Sequence, residues 1–337
     1  MSVWLVRAGR FGENEAKALD EGIVTIGWNS MPDLAKVATR DELTALYESL
    51  HPDASKGRVA NQVGQIWAFT SRINQGDLVV LPLKTQSSIA IGKIASNYTY
   101  TTAMGDGVRH VRKVDWLRTD IPRTAFDQDL LYSFGAFMTV CQIQRNNAEQ
   151  RIKALLNGNK PPQLVKSNVD VIEDDPTNID IEEAARDQIV EYVQQKFAGH
   201  NLANLVDAVL QAEGYLTRIS PPGADGGVDI LAGSGPMGFG SPRLCVQVKS
   251  GQSPADVTVL RELQGILQGY QAQQGLLVSW GGFKKSVLNE AKQSFFTIRL
   301  WDSGDLFKAI VRNYDRLPDE LQAELPLKRC WALVLEE

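Results

Sequence analysis

The chain is poor in the residues from which many reactive sites are built. Only three of its 337 residues are histidine and three are cysteine. His51, His110 and His200 are scattered, so a histidine-based triad or a zinc hydrolase has no usable ligand spacing. Cys141, Cys245 and Cys330 are far apart in apolar surroundings, which predicts reduced core thiols in a cytoplasmic protein rather than a disulfide frame. No Gly-x-x-x-x-Gly-Lys-Ser/Thr occurs, which argues against an NTPase motor. No apolar run is long enough to span a bilayer, and Met1 to Arg7 has no signal-peptide layout, so no membrane partner is expected. A basic excess is missing too: 35 Lys and Arg against 40 Asp and Glu leave a net charge of −5. Any nucleic-acid contact must therefore come from local patches.

What is present is concentrated in one stretch. Gly226-Gly227-Val228-Asp229-Ile230-Leu231 and Leu244-Cys245-Val246-Gln247-Val248-Lys249 are short, apolar and β-branched, so each predicts a strand. The Gly- and Pro-rich run from Ser234 to Pro242 predicts a hairpin with a long loop between them. Alternation along a strand puts Gln247 and Lys249 on one side and turns Val246 and Val248 into the core. With Asp229 near the start of the preceding strand, a carboxylate, an amide oxygen and an ammonium converge at one end of a sheet. Asp229 and the Gln247 carbonyl are hard oxygen ligands suited to Mg²⁺ or Mn²⁺. Lys249 is placed to orient a nucleophile or steady developing charge. The set suits metal-assisted hydrolysis of a phosphodiester.

Asp225-Gly226-Gly227-Val228-Asp229, then Gln247-Val248-Lys249 after a hairpin, resembles the PD-(D/E)XK nuclease core in its Mrr-like form, where Gln commonly replaces the second acid. Gly275-Leu276-Leu277-Val278-Ser279 resembles the next core strand, and Phe283-Lys284-Lys285 with Asn289-Glu290-Ala291 the helix after it. The resemblance covers roughly residues 190 to 310. It implies a mixed sheet flanked by helices, a divalent cation, double-stranded DNA as partner and a homo-oligomer. One departure stands out. The family often has a Glu on the first helix, and the matching region, Leu202-Ala203-Asn204 before Gly214-Tyr215, has no acid. Asp207, one turn on, is the available substitute, although a solvated helix carboxylate is the preferred reading.

Upstream, short strands at Val3 to Val6, Ile23 to Trp28, Asp77 to Leu83, Ile89 to Ile94, Arg109 to Leu117 and Val140 to Ile143 predict a small curled β-barrel. Gly76-Asp77-Leu78-Val79-Val80-Leu81-Pro82 and Ile89-Ala90-Ile91-Gly92-Lys93-Ile94 resemble the EVE/PUA-like barrel, whose members bind modified bases or RNA. Trp67-Ala68-Phe69, Arg109-His110-Val111-Arg112 and the run from Phe126 to Phe134 resemble the N-terminal region of bacterial restriction endonucleases that end in an Mrr-like domain. A reader of a flipped base needs aromatic faces, polar groups for the base edge and cations for phosphates. Trp28, Asn29, Ser30, Trp67, Thr85, Gln86 and Phe134 are the candidate base pocket. Lys84, Arg109, Arg112 and Lys113 are the candidate phosphate contacts. Small-barrel aromatics are more often core than cage, and Trp67 has core periodicity. A charged strand face is more often simply solvated.

Pro161-Pro162 and the acids Asp170, Glu173, Asp174, Asp175 and Asp180 mark an exposed linker. The expected architecture is thus α+β with an α/β core: an EVE/PUA-like β-barrel domain over 1–158, an acidic linker over 159–180 and a nuclease domain over 181–337. The expected function is a cytoplasmic, Mg²⁺-dependent DNA endonuclease that recognises modified DNA in phage defence. Two other readings remain open. One is a nuclease-fold DNA-binding protein of weak or no activity. The other is a nuclease switched on by a small nucleotide held in the barrel.

Overall fold

The computed structural model describes residues 1–105, 107–158, 180–221 and 227–331. The expected linker lies outside them except for Asp180, as do Asp225 and Gly226 of the Asp-Gly-Gly-Val-Asp segment. Two compact units are present. One is built from the described residues of Met1–Thr119 and Asp127–Ala184, the other from those of Asp120–Phe126 and Ala185–Ala332.

The first half of the chain holds β1 (Val3–Val6), α1 (Glu15–Asp20), β2 (Ile23–Ile26), α2 (Arg40–Leu50), α3 (Lys56–Trp67), β3 (Leu78–Pro82), β4 (Ser88–Ile94), β5 (Thr99–Tyr100), β6 (His110–Pro122), α4 (Gln128–Phe134), β7 (Val140–Ile143) and α5 (Ala148–Leu156). Its sheet runs β2-β6-β4-β3-β1-β7, with β5 paired to β6. Val24 and Ile26 of β2 and Val140 of β7, from opposite ends of that path, meet Trp4, Val79 and Val114 in one buried cluster. The sheet therefore curls around its core. Its ladder does not close among the described residues, which makes it a half-barrel rather than the closed barrel expected. Ala68, Phe69 and Ile73, from the turn after α3, enter the same cluster. Side chains of a non-strand segment thus complete the core in place of a last strand pairing.

The second half holds α6 (Ile181–Lys196), α7 (His200–Ala212), β8 (Leu216–Ile219), β9 (Ile230–Ser234), β10 (Gly240–Lys249), α8 (Val257–Gly269), β11 (Gln274–Ser279), α9 (Lys285–Ala291), β12 (Ile298–Trp301), α10 (Ser303–Asn313) and α11 (Asp319–Glu324). The sheet order is β12-β11-β10-β9-β8. β10, β11 and β12 run parallel, while β8, β9 and β10 pair antiparallel. This is the expected mixed sheet, with β8 added at the edge. The cap of α10 is Asp302, whose carboxylate accepts from the Gly304 and Asp305 amides at 2.8 and 2.9 Å. A charged acceptor at a helix N-terminus has the advantage over a hydroxyl.

Both faces of this sheet are packed. Ile230, Val246, Leu276 and Val278 meet Leu205 and Val209 of α7 and Leu306 and Ile310 of α10. On the other face Cys245 and Leu277 meet Leu260 and Leu263 of α8 and Val287 of α9. The strand thus has no open side: the face that carries Gln247 is a core face as well. No described helix is long and apolar enough to cross a membrane.

Leu277 is fully buried at the centre of the α8–α9 face. Leu277→Ala should lower the unfolding free energy by about 2–5 kcal/mol, through lost transfer energy and a residual cavity. Urea titration checks this, with the midpoint falling and the slope unchanged.

Candidate active site

The site is set by unequal strand lengths. The β9–β10 ladder ends at the pair Ile230 and Val246, while β10 runs on to Lys249. Beyond that pair the β10 backbone has no β9 strand opposite it. Asp229 sits just before β9, and its amide donates to the Val246 carbonyl at 2.9 Å. Its carboxylate turns back onto β10 and accepts from the Val248 amide at 2.6 Å. The charged oxygen is thereby fixed against the backbone between Gln247 and Lys249. The carbonyl of Asp229 also accepts from Ser220 N at 2.8 Å, which ties the turn to β8.

Gln247 is 3% exposed, and its Oε1 has no hydrogen-bond partner among the described residues. Its amide nitrogen lies beside Gly227, where an added Cβ would be 3.9 Å from Nε2 and 3.0 Å from Ile266 Cδ1. Gly227 also has φ +84°, a region that disfavours any side chain, so its backbone favours glycine. Lys249 is exposed and is the register partner of Ser279 on β11. Just past β11, a Cβ on Gly281 would come within 2.5 Å of the backbone of Gln252 and Ser253. The turn after β11 and the loop after β10 therefore touch backbone to backbone.

An unpaired buried carbonyl oxygen costs about 1–3 kcal/mol unless something occupies it. It and the Asp229 carboxylate are oxygens of the type that a hard divalent cation accepts. No group of three or more His, Cys, Asp or Glu side chains that could hold a metal occurs among the described residues. Asp207 accepts from Gln211 Nε2 at 2.7 Å, and the same amide donates to Thr217 Oγ1 at 3.0 Å. Its carboxylate thus takes part in the tie between α7 and β8. Glu262 is exposed on α8.

The candidates in the first unit separate into different places. Trp28 is half-buried, donates to Gln62 Oε1 at 2.6 Å and packs with Trp67 against the cluster of α2 and α3. Asn29 adjoins it, with its carbonyl accepting from Arg109 at 3.1 Å. Ser30 is exposed and lies 3.4 Å from His51. Thr85 and Gln86 are on another loop, where the buried Glu15 carboxylate accepts from the Lys84 and Thr85 amides and the Thr85 hydroxyl. Lys84 Nζ is 3.6 Å from Asp180, and Lys113 is exposed.

Two candidates are corrected. Phe134 is fully buried, and an aromatic with no exposed surface offers no face for stacking. Arg112 is 2% exposed and donates to the Phe69, Thr70 and Ser96 carbonyls at 2.6, 2.9 and 3.2 Å. Burial pushes its pKa down to about 10, so it stays charged, with its donors spent on the fold instead of a phosphate. Alternation along β6 explains this: Lys113 points to solvent and Arg112 inward.

His110, beside Arg112 on β6, is fully buried. Its Nε2 lies 3.0 Å from the Trp28 carbonyl, which can only accept, so Nε2 carries the proton. Nδ1 then accepts from the Tyr98 hydroxyl at 2.8 Å. Burial holds the Tyr98 pKa up at about 12, which keeps that proton in place.

Comparison with known proteins bears on each half of the chain. Residues 194–310 match the family model described as restriction endonuclease. The second unit therefore carries a restriction endonuclease domain, a hydrolase that acts on DNA. Residues 4–141 match a domain of unknown function, DUF8426. No curated protein matches the chain. Among solved structures, the DNA modification-dependent restriction endonuclease AspBHI is similar at 15% identity and a TM-score of 0.34, over 81% of this chain and 74% of that one. The MspJI restriction endonuclease, solved with a 27-mer oligonucleotide, is similar at 14% identity and a TM-score of 0.34, over 95% and 79%.

Burial lowers the His110 pKa below its usual value. The unfolded chain then binds a proton at a higher pH than the folded one, so this stabilisation is complete above the unfolded value of about 6.5 and is lost as pH falls through the folded value. Urea melts from about pH 8 down to pH 5 should show stability falling on the acid side. His110→Gln should flatten that slope.

Proposed function

We propose that this protein is an endonuclease that hydrolyses phosphodiester bonds of double-stranded DNA, with Asp229, Gln247 and Lys249 as its catalytic set. The observation that carries the reading is the Asp229 carboxylate held between Gln247 and Lys249 by the Val248 amide. Asp229 and Gln247 would hold a divalent cation, Mg²⁺ or Mn²⁺, which supplies charge to polarise the phosphate and acidify a water. Lys249, exposed at the carboxyl end of β10, is in position to meet the phosphate and balance its developing negative charge. The buried Gln247 contributes a neutral oxygen where a second carboxylate would add charge. With the family's usual first-helix acid replaced by Ala203 and Asn204, Asp229 supplies the site's negative charge.

The division into a reader over 1–158, a linker over 159–180 and a nuclease over 181–337 belongs to the same proposal. The first unit, a half-barrel whose segments 76–82 and 89–94 are similar in sequence to EVE/PUA-like proteins, would choose the target, a modified base. Trp28 with Asn29 and Ser30 is the group that supports a pocket, because it joins a half-exposed aromatic to polar neighbours. Exposed Lys113 and half-exposed Arg109 are the phosphate contacts that remain. A homo-oligomer would bring two sites to the two strands. Defence against phage DNA in the cytoplasm is the role that fits such an enzyme.

Cleavage of methylated and unmethylated plasmid, with Mg²⁺ or EDTA, tests this reading. The wild type should cut only with the metal and prefer the methylated plasmid. Asp229→Ala and Lys249→Ala should each lose at least about 100-fold in rate. Lys249→Ala should keep the wild-type melting curve, whereas Asp229→Ala, which leaves the Val248 amide without its acceptor, should melt lower. Uncut plasmid of both kinds in every condition would overturn the proposal.

A further inference from the structure

The candidate site occupies one end of the second unit's sheet, and the other end has a chemistry of its own. β8, β10, β11 and β12 all run in one direction, because β9 alone is antiparallel to its neighbours. Lys249 closes β10 and Asp229 precedes β9, so both lie where those four strands end. Where the strands begin, exposed apolar side chains gather. Leu216 heads β8, Met237 and Phe239 precede β10, Tyr270 precedes β11, and Phe295 and Phe296 precede β12. These are six of the nine large apolar residues that stand exposed among the described residues of this unit. They form a patch rather than a scatter. A Cβ on Gly238 would be 3.2 Å from Leu216, Arg243 N donates to Gln273 Oε1 at 2.8 Å, and Gln274 Nε2 lies 3.5 Å from the Phe296 carbonyl, so the turns touch across the sheet. β11 has six residues. At about 3.3 Å per residue the two ends of the sheet are roughly 17 Å apart.

The turns are free of acids. Segments 234–243, 264–275 and 292–299 hold no Asp or Glu, yet they hold Arg243, Lys292 and Arg299, in a chain of net charge −5. The rings are also held in place. Phe295 and Phe296 ride on a closed turn, where the Thr297 amide and hydroxyl both donate to the Ser294 carbonyl, at 2.9 and 3.1 Å. Phe296 is 84% exposed and meets Phe295 edge to face, with centroids 5.3 Å apart. The Arg299 guanidinium lies over the Phe295 ring at 4.0 Å and donates to the Phe295 carbonyl. Beside this turn runs an open groove of about 540 Å³, apolar at Leu267, Ala272 and Ile298 and lined with the amides of Gln268, Gln271 and Gln273.

We propose that this end of the sheet is a second nucleic-acid site, which binds single-stranded DNA and does no chemistry on it. Unpaired bases need a ring to stack on, their phosphates need cations, and their edges need groups that both donate and accept. Phe296 and Phe239 supply the rings, Arg243 and Arg299 the charge, and the groove amides the edge contacts. A duplex fits less well, since its bases are stacked on one another and offer no open face. A second copy of this chain fits less well too, since a two-fold contact would set three cations against the same three. The inference does not rest on Asp229, Gln247 and Lys249 as the catalytic set, and uncut plasmid would leave it standing.

Fluorescence anisotropy of a labelled single strand of mixed sequence, titrated with the full-length protein in EDTA, tests it. The wild type should bind the strand without metal, more weakly as salt rises. Phe296→Ala should keep the wild-type melting curve and weaken binding about 5- to 150-fold, the worth of one stacked base. Arg299→Gln should weaken it as well and reduce the salt slope by about 0.7, the share of one phosphate. The same sequence as a duplex should be held equally by wild type and Phe296→Ala. No binding by the wild type, or equal binding of the single strand by wild type and Phe296→Ala, would overturn the proposal. Binding lost in Lys249→Ala but kept in Phe296→Ala would put the strand at the candidate site and overturn it too. If Phe296→Ala sediments as a smaller species than wild type with strand binding unchanged, the surface is a contact between copies instead.

Discussion

The hydrogen bond from the Val248 amide to the Asp229 carboxylate is the contact on which the second unit's candidate site depends. It exists because β10 continues past its last pairing with β9, and a buried or half-buried amide in that position must find an acceptor. A charged acceptor gives a bond of about 1.5–3 kcal/mol, enough to hold one rotamer of an otherwise mobile acid. The same extension carries Gln247 into the α8–α9 face and Lys249 out to the end of the sheet. Placement of all three groups follows from one hairpin with unequal arms. The glycine at 227 is part of the same device, since a side chain there would meet Ile266 and the Gln247 amide.

Several buried polar groups of the first unit are spent on the fold. Arg112 is spent on three carbonyls, and His110 on Tyr98 and the Trp28 carbonyl. Asp77 accepts from Ser2 N, Trp4 Nε1 and Asn74 N. Each of these ties a loop or turn to a strand, and together they help hold a curled sheet whose ends do not pair. Asn29 Oδ1, Ser88 Oγ and Arg151 Nε are buried in this unit with no hydrogen-bond partner among the described residues, and Trp28, Ser30 and Lys113 remain at least partly exposed.

The sequence made the second unit far more legible than the first. Short apolar, β-branched runs located β9 and β10, and the resemblance to the nuclease core supplied β11 and the mixed sheet. The edge strand β8 was not visible, because Leu216–Ile219 is four residues long and half exposed, too short for alternation to register. In the sequence Ser279 is only the end of a strand. That it is the register partner of Lys249 depends on inter-strand pairing, which no local pattern encodes. In the first unit the strands were legible and the closure was not, since closure depends on which edges meet. Arg112 and Lys113 are adjacent cations in the sequence, yet one is a core residue and the other faces solvent. Phe134 and Trp67 show the same limit for aromatics: the residue type announces burial or stacking equally well, and packing decides.

Burial of both faces of β10 and β11 has a consequence for how the candidate site is made. A slip of one residue in a strand exchanges its two faces. In β10 that would press Lys249 and Gln247 toward Val206 and Leu306 and expel Val246 from the core. A sheet with one wet face could tolerate such a shift and yield a folded but misassembled enzyme. Here both faces reject it, so a chain with the wrong register does not survive as a compact molecule. Folding thereby acts as an inspection step for the geometry of the candidate site.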